Sequence, residues 1–328
     1  MRGRIVVSMK NVIYYFSVYI RGMCMGAADV VPGISGGTIA FITGVYDTLV
    51  KSLSELDIKS FSLLMRGRML QFAKKTHLLF LATLLAGILT SIILFSELIT
   101  YLLVTYEELV WGFFFGLVLA SSVIVLKQIH RFKPTTALLL VVGVVVGYLT
   151  VTLSFVETPH TALYVFFSGS IAIVAAILPG ISGSFILLIL GKYEFILTLI
   201  SNASNTFKRV PAIFMEGGVT AVFAAVMTTE TYLLTVFAAG SAVGLVVFAK
   251  ILRYLLKNYF NAVMALLTGF MLGSLYKVWP WKEGGVSGEV NTFPSELTLY
   301  LGYTIAAGIV GVLIVYAIYI LSGKKALY

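Results

Sequence analysis

The chain has 328 residues, 59% of them hydrophobic and only 11% charged, whereas roughly a quarter of a soluble domain is charged. That balance excludes an ordinary water-soluble enzyme or binding module and makes lipid the main solvent. The formal charge of +9 does not describe a nucleic-acid surface, because the cations sit in short loops between apolar runs.

Arg2, Arg4 and Lys10 precede the first apolar run and give the N-terminus the look of a signal peptide. Arg21 interrupts that run, so an uncleaved first segment over 11–31 is expected. Further apolar segments fall at 34–50, 78–103, 109–127, 134–154, 161–178, 182–201, 231–252, 261–279 and 297–321. Most approach the roughly 20 residues a helix needs to cross a hydrocarbon core of roughly 30 Å, and none alternates polarity as a barrel strand does. The loop 51–77 mixes Phe61, Leu63, Leu64, Met65, Met69 and Phe72 with Arg66, Arg68, Lys74 and Lys75, the composition of an interfacial amphipathic helix. Cys24 is the single cysteine, so no internal disulfide forms, and it reads as a small packing residue. Trp279 and Trp281 read as interface anchors.

The chain repeats itself. Val31–Asp47 laid on Leu178–Glu194, a shift of 147, matches at Pro32/Pro179, Gly33/Gly180, Ile34/Ile181, Ser35/Ser182, Gly36/Gly183, Ile39/Ile186, Ile42/Ile189, Gly44/Gly191 and Tyr46/Tyr193, with Asp47 against Glu194. A weaker shift of 153 pairs Gly87 with Gly240, Phe95 with Phe248, Tyr101 with Tyr254 and Gly116 with Gly269. Together these predict a duplicated unit. Lys and Arg concentrate in 1–10, 51–77, 127–133, 250–257 and the C-terminal tail, and are absent from 104–108 and 155–160, which predicts two cytoplasmic termini. Both ends of 11–50 then fall on one side and both ends of 161–201 on the other. The arm Thr38–Val50 is about 20 Å long, too short for a full crossing, so re-entrant hairpins are favoured.

The expected architecture is an all-α polytopic membrane protein of two inverted repeats, 1–154 and 155–328. Each carries a Pro-Gly-broken hairpin, 11–50 or 161–201, and three transmembrane helices, the plan of many secondary transporters. A proline inside an apolar run stops one helix and starts another, and the freed backbone groups must find partners in lipid. Gly33, Gly36, Gly37, Gly180 and Gly183 strip side chains from the breaks. Ser35, Thr38, Ser182 and Ser184 can cap the new helices or donate to a ligand. Two helix starts converging near the midplane would suit a phosphate or carboxylate; the competing reading is tight helix packing by small residues.

Arg21 lies mid-segment, where a charge is costly unless paired or facing a cavity, and is the natural partner of an anion. The alternative is a structural pair with Asp29, eight residues away on the same helix, which needs bending. Asp29, Asp47, Lys192 and Glu194 flank the breaks as candidate ion pairs, and Asp29 and Glu194 as proton or ion carriers. Glu97 and Lys250 read as snorkelling residues near helix ends. His77, His130 and His160 lack metal-site spacing. No nucleophile, metal cluster, cofactor motif or nucleotide loop is visible, so neither an enzyme nor a cofactor is expected.

The motifs Val-Pro-Gly-Ile-Ser-Gly-Gly at 31–37 and Leu-Pro-Gly-Ile-Ser-Gly-Ser at 178–184 resemble those of the bacterial polyprenyl-phosphate transporter family of PopT type, and the resemblance covers most of the chain. It implies recycling of undecaprenyl phosphate, the lipid carrier of cell-envelope polymers, from the outer to the cytoplasmic leaflet of the bacterial inner membrane. The expected partners are that lipid and the surrounding bilayer. Ser184 stands where the first motif has Gly37, so the two cradles are not equivalent. A transporter or channel for a small soluble anion, and a membrane scaffold without transport, are the other readings the residues permit.

Overall fold

The computed structural model describes residues 9–30, 35–152, 158–283, 290–294 and 299–321. It is helical almost throughout. In chain order run α1 (Met9–Asp29), α2 (Gly36–Ile42), α3 (Tyr46–Ser54), α4 (Ile58–Met65), α5 (Met69–Lys75), α6 (Leu78–Thr105), α7 (Glu107–Leu126) and α8 (Pro134–Thr152). There follow α9 (Ala162–Ile177), α10 (Gly183–Ile189), α11 (Tyr193–Val226), α12 (Thr229–Asn258) and α13 (Phe260–Ser274). A two-stranded ribbon of β1 (Lys282–Glu283) and β2 (Val290–Asn291) precedes α14 (Leu299–Leu321). Five helices, α6, α7, α8, α12 and α14, are long and apolar enough to cross a membrane; α9 and α13 are shorter apolar helices. This is an all-α polytopic membrane protein.

The expected segments 34–50 and 182–201 each contain a second break. Glycine permits the left-handed backbone that ends a helix without a Cβ clash. Gly44 (φ 73°) separates α2 from α3, and Gly191 (φ 62°) separates α10 from α11. The same closing bonds form at both: Val45 N–H donates to Ala40 O at 3.0 Å, and Lys192 N–H to Leu187 O at 2.8 Å. Each hairpin therefore holds a helix of only seven residues between two breaks.

Two further expectations are corrected. The stretch 202–230, which lies between the expected apolar segments, is largely helical: α11 runs past Pro211 to Val226, with a break at Gly218 (φ 65°) where two helices join. The interfacial segment is two short helices, since Gly67 (φ 69°) parts α4 from α5. Asp57 caps α4, accepting from Ser60 N–H at 2.7 Å. Its apolar residues stay bare, with Ile58 at 89% and Met65 at 90% exposure.

Four helix pairs make the body: α1 with α6, α9 with α12, α7 with α14, and α8 with α13. Glycines let the backbones approach so closely that a Cβ would strike the partner's carbonyl: Gly87 meets Tyr19 and Gly240 meets Phe166, while Gly116 meets Gly308 and Gly269 meets Leu140. The glycine pairs matched by the 153 shift thus make the same kind of close approach on α6 as on α12, and on α7 as on α13. The seam between α6 and α7 and that between α12 and α13 also agree, with Tyr106 at φ −133°, ψ 44° and Tyr259 at φ −133°, ψ 39°. At the centre lies α2, all seven of its residues buried, touching α1, α7, α9 and α14.

Candidate functional site

The start of α2, just after the first Pro-Gly pair, meets the second break. Ser35 starts α2 in an extended conformation, and its Oγ accepts from Gly37 N–H at 3.1 Å. The same hydroxyl donates to Leu178 O at 3.0 Å, in the second break. Thr38 Oγ1 accepts from Gly180 N–H at 3.0 Å. Gly37 is required where it stands, because a Cβ there would lie 2.5 Å from Ile177 O. Gly180 has φ 88° and faces Met271 N, which a Cβ would approach to 2.7 Å. Ser35 and Thr38 are 1% and 0% exposed.

At the first break, the described donors expected to form an open cradle are engaged within the chain. Asp29, at the end of α1, accepts from Gly36 N–H through Oδ1 at 2.7 Å. Gly37 N–H is taken by Ser35 Oγ, and Thr38 N–H by Ser35 O at 2.9 Å. A carboxylate thus sits on the first free amide of α2, the position an anionic ligand would seek. The second break is different. Ser182 does not cap α10; its Oγ pairs with Ser184 Oγ at 2.8 Å, while Gly183 packs so that a Cβ would lie 2.5 Å from Ala172 O. Val31, Pro32, Gly33 and Ile34 lie outside the described residues, and with them the expected part of Gly33 in the cradle.

Arg21 is half-buried on α1 and makes no hydrogen bond or ion pair to another described residue. The expected alternative, a structural pair with Asp29, does not form, because the Asp29 carboxylate serves Gly36. Nor do Asp29, Asp47, Lys192 and Glu194 pair with one another. Ion pairs form elsewhere, at Lys75–Asp57 (3.1 Å) and Arg253–Glu55 (2.5 Å).

Lys192 is fully buried at the end of α10, its Nζ donating to Thr158 O and lying 3.0 Å from His160 Nδ1. Thr158 Oγ1 in turn donates to Leu190 O at 2.7 Å, so the end of α10 lies against the chain just before α9. Beside it opens a cavity of about 810 Å³ lined by Thr158, Pro159, His160, Tyr193 and Glu194, among others. Glu194 is exposed there. The 147 shift already paired Tyr193 with Tyr46, but nothing in the sequence announced Thr158 or His160, more than 30 residues away. Lys277 was missed as well; its Nζ lies 5.9 Å from the ring centre of Phe185, the residue after Ser184.

Long apolar helices packed in pairs around a doubly broken, buried centre define a multi-pass membrane protein. The chain belongs to the undecaprenyl phosphate translocase-like family (VCA0040-like), whose model matches residues 25–292. It is 40% identical over 285 residues to a polyprenyl-phosphate transporter of Vibrio cholerae serotype O1, covering 87% of this chain and 84% of that one. It is 28% identical over 301 residues to a polyprenyl-phosphate transporter of Staphylococcus aureus, covering 88% and 93%. No solved structure matches the chain.

Proposed function

We propose that this protein carries a polyprenyl phosphate, undecaprenyl phosphate in the bacterial inner membrane, from the outer to the cytoplasmic leaflet for reuse in cell-envelope polymer synthesis. The observation that carries the reading is the meeting of the two breaks, in a chain whose relatives are named for that lipid. A phosphate head needs donors and a cation inside hydrocarbon, whereas a prenyl tail needs none. Arg21, the amides of Gly33, Gly36, Gly37, Gly180 and Gly183, and the hydroxyls of Ser35, Thr38, Ser182 and Ser184 are the groups we assign to the head. The tail stays in lipid through a lateral opening.

The two halves are read as inverted repeats, 1–154 and 155–328, with both termini cytoplasmic and both hairpins re-entrant. The matched helix pairs, the matched glycines and the contact of Leu190 and Lys192 with Thr158 support this reading. Alternating access then follows from one half rocking against the other.

Asp29 gives the cycle a coupling device. While ionised it holds the Gly36 amide; a proton on Asp29 weakens that bond and frees the amide for a phosphate oxygen. Inward movement of a negative head opposes an inside-negative potential by about 2.3 kcal/mol per charge per 100 mV, so a co-transported proton offsets one charge. Glu194, exposed in the outer cavity, is the second candidate carrier.

The test is leaflet-resolved uptake in proteoliposomes of labelled polyprenyl phosphate, the matching polyprenol and inorganic phosphate. Uptake of the first alone, accelerated by an acidic outer solution, is expected. Uptake of inorganic phosphate would establish a soluble-anion carrier instead, and indifference to both pH gradient and potential would remove the coupling.

A further inference from the structure

The far ends of the two hairpins should look alike if the repeats occupied equivalent states, and they do not. On α3, Val50 and Leu53 are 1% and 8% exposed, covered by α12. Their counterparts on α11 by the 147 shift, Leu197 and Ile200, are each 48% exposed. The receiving surfaces differ in the complementary way. Leu252, on the helix α12 that α3 packs against, is buried, and so are Val263 and Leu267 across the α12–α13 seam. Their counterparts by the 153 shift, Ile99, Val110 and Phe114, line a groove of about 430 Å³ at the α6–α7 seam, walled almost wholly by apolar groups; Ile99 and Val110 are half-buried there, while Phe114 is 9% exposed.

The cavities repeat the contrast. Tyr193 and Leu188 line the open recess of about 810 Å³. Their counterparts Tyr46 and Phe41 are packed together, ring centres 5.2 Å apart, and the Tyr46 hydroxyl is buried without a partner among the described residues. One contact, α3 on α12, is made and fastened by Arg253 to Ser54 at 2.9 Å and to Glu55 at 2.5 Å; its counterpart, α11 on α6, is open.

From this asymmetry we infer that the α6–α7 groove is the docking site for the first turns of α11, and that the transporter alternates by exchanging one contact for the other. The occupant is identified by the other half, where α12, the counterpart of α6, is covered by α3, the counterpart of the first turns of α11. Docking buries Leu197 and Ile200 against Ile99, Val110 and Phe114 and closes the recess at Tyr193. Release of α3 wets the Tyr46 hydroxyl, whose burial without a partner is unfavourable. The Arg253–Glu55 pair is the latch of the present, outward-open state. The inference rests on the transporter reading, and it names the moving contact which that reading leaves open.

The experiment uses full-length protein in proteoliposomes with Cys24→Ser, and two cysteine pairs: Leu197→Cys with Ile99→Cys, and Val50→Cys with Leu252→Cys. A short bismaleimide should link the second pair at rest. The first pair should link when polyprenyl phosphate is added, and with Glu55→Gln its linked fraction should rise about two- to five-fold, the shift that loss of a partly exposed ion pair supports. Failure of the first pair to link while the second links and the unlinked protein still transports would overturn the inference and leave the transport reading intact. Linkage of Leu197→Cys to Ile99→Cys only between two chains would also overturn it. Should a pair variant not fold, Leu197→Cys alone is alkylated with a membrane-permeant maleimide: slower labelling with substrate is expected, and an unchanged rate contradicts docking.

Discussion

The two breaks share five residues in a row from proline to glycine and yet are bonded differently. In the first, Ser35 and Thr38 reach across to the other hairpin, and Asp29 occupies the helix start. In the second, Ser182 and Ser184 hold only each other, at 2.8 Å. The first break therefore acts as a clasp onto the second, whose own two hydroxyls are paired with each other. Equal motifs take unequal roles because each is completed by what the rest of the chain brings to it.

Substitutions at the clasp should have the largest effect. Gly37→Val forces a side chain against Ile177 O, and such overpacking typically costs about 1–3 kcal/mol. The expected result is a lower unfolding temperature in detergent together with loss of transport. Wild-type stability in this variant would break the comparison at its root.

Thr38→Val set against Ser184→Ala sharpens it. Thr38→Val leaves the buried Gly180 amide without its acceptor, a loss of about 1–3 kcal/mol in stability. Ser184→Ala removes only one member of a hydroxyl pair, so a smaller loss of stability is expected with a larger loss of lipid-phosphate affinity. Denaturation midpoints and lipid-phosphate binding, measured on both variants, decide it; the reverse order would mean that the second break is the clasp.

A smaller effect is expected at the tyrosines. Tyr46→Phe removes a buried hydroxyl that has no partner among the described residues and should leave stability unchanged or raise it slightly. Tyr193→Phe, in the open recess, should not change the unfolding temperature. A destabilised Tyr46→Phe would reveal a partner for that hydroxyl.

The smallest effect lies outside the bundle. Partial burial raises the Asp57 pKa, but the Ser60 amide and hydroxyl and the Lys75 ammonium outweigh it and hold the carboxyl at about 2. A depressed pKa contributes stability at neutral pH that disappears as pH falls from the usual carboxylate range through about 2. Asp57→Asn should abolish that acid dependence of α4 and α5, followed by amide exchange, and leave the bundle unaffected.

Much of this organisation was legible in the sequence, and the parts that were not share a cause. The break at Pro179 and the long apolar helices follow from local chemistry: ring constraint and hydropathy. The second break at Gly44 and Gly191 was present in the matched residues, but a glycine's backbone sign is set by the helix it terminates and is not written in its identity. That Ser35 faces Leu178 and Thr38 faces Gly180 was invisible, because those partners are more than 140 residues apart and are brought together only by packing. Asp29 differs: its partner, the Gly36 amide, is only seven residues on, and what hid the bond is the way the chain turns between α1 and α2.

The central claim is that a lipid's phosphate is held where the breaks meet, with Arg21 as its cation. Leaflet-resolved transport of labelled polyprenyl phosphate by Arg21→Ala and Arg21→Lys, in proteoliposomes matched for folded protein, tests it most directly. A fall of about 10- to 100-fold for alanine, the range of a lost charge-assisted hydrogen bond, with partial recovery for lysine, is the expected result. Wild-type transport by Arg21→Ala would contradict the claim.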